Sequence, residues 1–353
     1  MHRTPAGGKV QARRVAGTNT RCMLRFSVEK YKQRCYRIRR AMTASVASGS
    51  AWRPRAEVEI IVGTPPGGGQ DRPARALMSV LESERLVPVP MRLVNIPGKG
   101  GGNAWDALRA RASDPHVLSI SSAPLITNKL LGVTDYDHSE LTPIAMLYTE
   151  YLAFVARDTS PVRSGSDFLG RLGRDPGALT IAIATAVGTT NHIALGQIVR
   201  QVGGDPKKLK LRVFESALYA VNDVMEGQAE IGVVSAASAV KALESGSVRA
   251  FAVAAPRRMG GCYADVPTWS EQSVPCTLGQ WRGIIGAPGI SEESVAFWEQ
   301  ALGAAVQSPA WTAELARHHW TSAWMTGAAT RAFLDSERTF LGGMLRDLGL
   351  VAS

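Results

Sequence analysis

Val58-Glu59-Ile60-Ile61-Val62, then Thr64-Pro65-Pro66-Gly67-Gly68-Gly69-Gln70, then Asp71 is the stretch on which the fold turns. The first five residues are rich in β-branched side chains and read as a strand. Two prolines and three glycines then mark a turn. Asp71 is a good helix N-cap, and Pro73 is tolerated in a first helical turn. Ala74, Leu77, Met78 and Leu81 recur at i, i+3, i+4 and i+7, so the helix has one apolar face. Strand, turn and helix in that order predict an α/β protein if the rhythm repeats.

It does repeat. Met91 to Ile96 reads as a strand that ends at Pro97-Gly98-Lys99-Gly100-Gly101-Gly102-Asn103, with a helix from Ala104. His116 to Ile120 is a third strand, closed by Ser121-Ser122-Ala123-Pro124. Leu141 to Val155 is long and largely apolar, suited to crossing between two lobes. Leu179 to Ala184, Leu211 to Phe214, Ile231 to Val234 and Val248 to Ala254 read as strands, and Trp281 to Ala287 is a further apolar segment. From Ser291, itself a helix cap, the chain reads as helical to its end, with Pro309 in one first turn and a last helix over Thr330 to Leu348. The alternation predicts mainly parallel sheets, and 353 residues exceed one compact core and suit two lobes. No internal repeat and no uninterrupted apolar run of about 18 residues is present.

The net charge of +10 belongs to one end of the chain. Residues 1–55 carry fourteen Lys/Arg against one acid, Glu29; taking these from the 40 basic and 30 acidic residues leaves 26 and 29. The body is therefore nearly neutral, which argues against a nucleic-acid role for it, and any anion site must be built from local groups. Residues 1–55 read as a basic tail without periodicity, or as a degenerate targeting segment in which Arg39-Arg40 precede a weakly apolar run. Cys22, Cys35, Cys262 and Cys276 include no Cys-x-x-Cys pair. Cys262 and Cys276 read either as a short disulfide loop or as two separate thiols.

Three places carry candidate binding chemistry. In Pro66, Gly67, Gly68, Gly69 and Asp71, successive glycines leave backbone amides uncovered beside a helix N-terminus, a seat for a carboxylate or phosphate. The plain alternative is a connecting turn. Gly188-Thr189-Thr190-Asn191-His192 lies again between a strand and a helix and offers amides, hydroxyls at Thr189 and Thr190, and the imidazole of His192. That histidine reads as a ligand contact or as a structural partner. Ser121 and Ser122 are ligand contacts or strand-end caps. A P-loop requires Gly-Lys-Ser/Thr where this chain has Gly69-Gln70-Asp71, and Asn103 stands where a dinucleotide fingerprint needs its third glycine. The six histidines show no metal spacing, and neither H-E-x-x-H nor G-x-S-x-G occurs, so no cofactor, metal or catalytic group is called for.

Pro65-Pro66-Gly67-Gly68-Gly69-Gln70-Asp71 and Asn95-Ile96-Pro97-Gly98-Lys99-Gly100-Gly101 resemble the P-P-G-G-x-x-D and N-x-P-G-x-G-G signatures of the Bug-type solute-binding receptors of tripartite tricarboxylate transporters. Gly188 to His192, Asp265-Val266-Pro267-Thr268 and Trp281-Arg282-Gly283 follow in the family's order, from about Glu57 to the C-terminus. The resemblance implies a two-lobed, type II periplasmic-binding-protein-like fold with two hinge-crossing segments, near Phe154 and Trp281. It implies lobes of 56–153 plus 283–353 and of 154–282. It also implies an exported, periplasmic receptor, not an enzyme, that hands a small carboxylate to large and small membrane permease subunits. Two stretches depart from the pattern: Phe214-Glu215-Ser216 stands where a lysine is usual, and Val233-Val234-Ser235 replaces F-D-N. Ser216 and Ser235 complete the candidate set, while Glu215 disfavours a second carboxylate nearby. Leu141-Thr142-Pro143-Ile144-Ala145 and Trp281-Arg282-Gly283 look closer to the citrate-type branch, a hint toward a tricarboxylate, with Arg282 either a charge partner for ligand or a hinge ion pair. The same cleft would also serve a ligand sensor acting on a signalling partner, or an enzyme using His192.

Overall fold

A computed structural model describes residues 52–351, so the readings of Arg39-Arg40, Cys22, Cys35 and nearly all of the basic tail lie outside the described residues. β1 (Val58–Val62) and α1 (Asp71–Ser83) form where the opening stretch places them. β2 (Met91–Asn95), α2 (Gly102–Arg109), β3 (Val117–Ser121) and α3 (Pro124–Leu130) follow. β4 (Thr142–Arg157) is a single strand of sixteen residues, buried along almost its whole length. Beyond it lie α4 (Gly165–Arg174), β5 (Thr180–Ala184), α5 (Thr190–Gln201), β6 (Lys210–Phe214), α6 (Ala217–Met225), β7 (Ile231–Ser235), α7 (Ala236–Glu244) and β8 (Val248–Val253). The chain then returns through β9 (Gly279–Gly286), α8 (Glu292–Gln307), α9 (Pro309–Arg317), β10 (Trp320–Thr326) and α10 (Gly327–Asp347).

The long β4 organises both halves. Residues 142–151 pair antiparallel with β9, and 145–150 with β10. Residues 152–157 pair with β7 and β8. Separate buried clusters lie on the two sides. One gathers Ile60, Leu77, Trp105, Ile144, Tyr148, Ile284 and Trp298; the other gathers Ala153, Val155, Val224, Val234, Ala239 and Tyr263. Each half holds a parallel core of three strands, β2-β1-β3 and β6-β5-β7. This is the α/β, two-lobed type II periplasmic-binding-protein-like fold, whose binding loops lie at the carboxyl ends of parallel strands.

Two expectations are corrected. The sheets are mixed rather than mainly parallel, because every pairing made by the connecting strands β4 and β9 is antiparallel. The C-terminal region is also not all helical: β10 interrupts it, and its Trp320 stacks on Tyr148 at 4.1 Å between ring centroids. Trp320-Thr321-Ser322-Ala323-Trp324 carries the aromatic and β-branched residues that favour strands, and an edge against β4 was there to receive it. Cys262 and Cys276 are free thiols, so the disulfide alternative is not formed.

Candidate functional site

The first loop is shaped by Asp71. Its carboxylate is 1% exposed and accepts four bonds. Oδ2 takes the Gly67 N–H at 2.8 Å and Arg75 Nε at 2.9 Å, and Oδ1 takes Arg75 Nη2 at 3.0 Å and Asn95 Nδ2 at 2.9 Å. Burial by itself raises this carboxyl's pKa, but the bonds from Arg75, Asn95 and Gly67 outweigh it and hold the group below its ordinary 3.8. Asp71 is therefore not the N-cap it was read as. Gln70 occupies that position, and the amides of Gln70 and Asp71 are satisfied by Thr64 Oγ1 at 3.3 and 3.2 Å. A carboxylate with four donors has nothing left to offer an anionic ligand; it holds the loop in shape. Pro66 and Gly67 stand exposed at the rim, and Gly68 and Gly69 lie half-buried below them.

His192 does for the second loop what Asp71 does for the first. Its Nδ1 accepts the Gly188 N–H at 3.1 Å, where Gly188 takes a left-handed φ of +84°. That bond assigns the proton to Nε2, and burial lowers the pKa, so the ring is neutral. The Thr189 hydroxyl is turned back onto the carbonyls of Ala186 and Ala184 at 2.8 and 3.1 Å. Thr190 is buried in the first turn of α5. Its neighbour Asn191 spans two elements: Nδ2 donates to the Val233 carbonyl at 2.6 Å, and Oδ1 accepts from Gln280 Nε2 at 2.8 Å.

A chain of bonds joins the two loops through β9. Gln280 Oε1 accepts from Arg282 Nη2 at 3.1 Å, and Arg282 Nε donates to the Gly69 carbonyl at 3.2 Å. Register places Tyr148 opposite Arg282 and Glu150 opposite Gln280, so all four side chains share one face. Arg282 is buried and faces the buried Glu150 at 3.8 Å. Of the other candidates, Ser122 Oγ accepts from Gln70 Nε2 at 3.3 Å, which ties the third loop to the first. Ser121 is fully buried and its hydroxyl has no partner. Ser235 is the N-cap of α7, with its hydroxyl 2.7 Å from that of Ser238, and Ser238 accepts from Arg72 Nη2 of α1 at 3.1 Å. Ser216 is the N-cap of α6, but no hydrogen bond joins it to the others.

Contacts thus tie α1, α5 and α7 to one another, and none of the three has a side-chain N-cap. α4, α8 and α9 are capped by Ser164, Ser291 and Ser308, whereas α2, α3, α6 and α10 lack a side-chain cap as well. The first-turn amides of α5 and α7, reinforced by the helix dipole, are what a carboxylate needs, whereas those of α1 are already taken by Thr64 Oγ1 and the Gly68 carbonyl. Arg72, Ser238 and Gln280 were not singled out from the sequence, and Asn191 was read only as part of the second loop. Gln280 could have been found as the second polar residue, two before the Arg282 already singled out, in an otherwise apolar strand. A depression of about 390 Å³ lined by Pro143, Glu292, Glu299 and Arg331 includes none of the candidate residues. Among the described residues no group of three His, Cys, Asp or Glu is placed to hold a metal ion.

The sequence model of the tripartite tricarboxylate transporter family receptor matches residues 88–350, most of the chain. Protein BugT of Bordetella pertussis is 25% identical over 301 residues, which span 84% of this chain and 90% of its own. MatC from Rhodopseudomonas palustris, solved with bound malate, aligns with a TM-score of 0.71 at 22% identity and covers 83% of this chain and 99% of its own. An R. palustris protein solved with adipate aligns at 0.76 and 20%, covering 84% and 99%. At such identities the structural likeness speaks for the fold.

Proposed function

The chain belongs to the tripartite tricarboxylate transporter receptor family, and on that footing we propose that it is a periplasmic receptor capturing a small carboxylate. The observation that carries this reading is the bonded chain Gly69–Arg282–Gln280–Asn191, which ties the first glycine loop to the uncapped start of α5. One carboxylate of the ligand would sit between the Gly69 amide of the first loop and the first-turn amides of α5, with Asp71 and His192 keeping the two loops in shape. Lobes of residues 56–153 plus 283–353 and of 154–282 would close over it about β4 and the segment entering β9. Closure is a shift in population, with no bond made or broken in the ligand. The closed form would pass its cargo to the large and small permease subunits of a tripartite transporter.

The malate and adipate held by relatives of the same fold support a carboxylate ligand. Citrate, suggested by the Trp281-Arg282-Gly283 run, belongs in the same panel. The test is a thermal-shift screen of the full chain against citrate, malate, adipate, acidic amino acids and aromatic acids. A ligand present at a hundred times its Kd adds about 2.7 kcal/mol to stability. A folded protein that no acid in the panel shifts would refute the reading.

A further inference from the structure

We propose that Arg72, with Ser235 and Ser238, forms a second anion subsite in the cleft, so that the ligand is a dicarboxylate whose far end seats on Arg72. This deepens the reading above and rests on it. Arg72 is the second residue of α1, directly after the first loop, and its side chain reaches across to α7 in the other half of the molecule. Its Nη2 donates to Ser238 Oγ at 3.1 Å. Among the described residues its side chain has no other bond and no acid within ion-pairing distance, and Nε is shut off from water without an acceptor. A guanidinium carries five donors and a fixed charge. Leaving both uncompensated in a partly closed space is costly.

The surroundings are positive in the same sense. Arg75, on the same helix, is compensated by Asp71, and Arg282 faces Glu150. Arg72 is the charge left over. Facing it, α7 begins without a side-chain cap, so its first-turn amides add positive potential beside the buried hydroxyls of Ser235 and Ser238. The phenol of Tyr148 lies in the field of Arg282, Glu150 and Arg72, and it is buried without a partner. Glu215, which the sequence suggested would repel a second carboxylate, is solvent-exposed and bonds to none of these groups. One carboxylate placed between Arg72 and the start of α7 would compensate the guanidinium and accept from the serines. A monocarboxylate would reach only the two loops.

The test uses matched acids on the full chain by isothermal titration: succinate against butyrate, and adipate against hexanoate. Wild type is expected to bind at least one diacid about tenfold or more tightly than its monoacid, the scale of one charge-assisted bond. Arg72→Gln should lose about tenfold for that diacid and change the monoacid little. Arg72→Lys, which keeps the charge without the planar fork, should retain part of the preference. Equal loss for diacid and monoacid in Arg72→Gln would show that Arg72 only joins the two halves, and would overturn the subsite. A wild type that binds both members of each pair alike would overturn it too, while leaving the receptor reading intact. Binding of none of the four acids by a folded wild type would overturn the subsite and count against the receptor reading with it.

Discussion

Arg282 Nε is bonded to the carbonyl of Gly69 at 3.2 Å, so a side chain of β9 grips the backbone of the first loop. The same guanidinium reaches Gln280, whose amide reaches Asn191 at the start of α5. Both loops are thereby referred to one strand, and β9 itself lies beside β4, the strand common to both clusters. The arrangement explains why an arginine is kept 6% exposed in an apolar strand. Its charge is balanced by Glu150, and its donors fix the position of the loops.

Arg282→Gln is accordingly expected to destabilise the protein by about 3 kcal/mol, because it leaves Glu150 buried without a counter-charge. Adding Glu150→Gln should restore part of that loss, although Gly69 remains without its donor. Chemical denaturation of the two single variants and the double variant measures the coupling. Strictly additive losses would show that the two side chains do not act as a pair.

Asp71 sets an acid limit. Its pKa is held below the ordinary 3.8 in the folded protein, so its contribution is fully present above that value and is lost as pH falls through the folded value. Urea denaturation at pH 6 and pH 3 should show a smaller loss of stability for Asp71→Asn than for wild type, from a lower starting value at pH 6. Equal pH dependence in the two proteins would mean that the carboxylate is not stabilised by its donors.

How far this was legible in the sequence depends on the range of the interaction. β1, its glycine turn and α1 were readable because period, breakers and apolar face all lie in one continuous stretch, Val58 to Leu81. The second loop was readable for the same reason. Asp71 was read as the N-cap of α1, a position that Gln70 holds, because Asn95, twenty-four residues on, and the fold of the glycine turn could not be seen locally. Arg72 and Ser238 are 166 residues apart and meet only because α1 and α7 start at facing positions. Nothing local marks that meeting. β10 was missed where local pattern did exist, since a short strand between two helices gains its stability from the β4 edge rather than from its own residues.

His192 gives a second pH response, at a higher range. Burial lowers its pKa from 6.5. The neutral ring that accepts from Gly188 is thus favoured above that value, and the stability it confers falls away as pH drops through 6.5 and below. His318 and His319 are shifted the same way, also chiefly by burial, so His192→Gln should remove only part of the loss seen between pH 7.5 and 5. Thermal denaturation across that range measures it. An unchanged slope in the variant would place the whole response on the other two histidines.

Gly68 has the least room of the residues in the first loop. A Cβ there would stand 2.6 Å from Thr64 Cβ, 2.7 Å from Thr64 Oγ1 and 2.9 Å from the Pro65 carbonyl. Thr64 Oγ1 is the acceptor for the amides of Gln70 and Asp71, so displacing it disturbs the entry to α1 together with the loop. Overpacking of this kind costs about 1–3 kcal/mol, which a body of this size can absorb while remaining folded. Gly68→Val should therefore keep its circular dichroism spectrum and lose carboxylate affinity. Gly170→Ala is the control: that glycine lies within α4 with open space around it, and alanine favours a helix interior. If both variants bind as wild type does, the glycine loop is a connection between β1 and α1 and the ligand sits elsewhere. If only Gly68→Val fails, the shape of this turn is what the ligand reads.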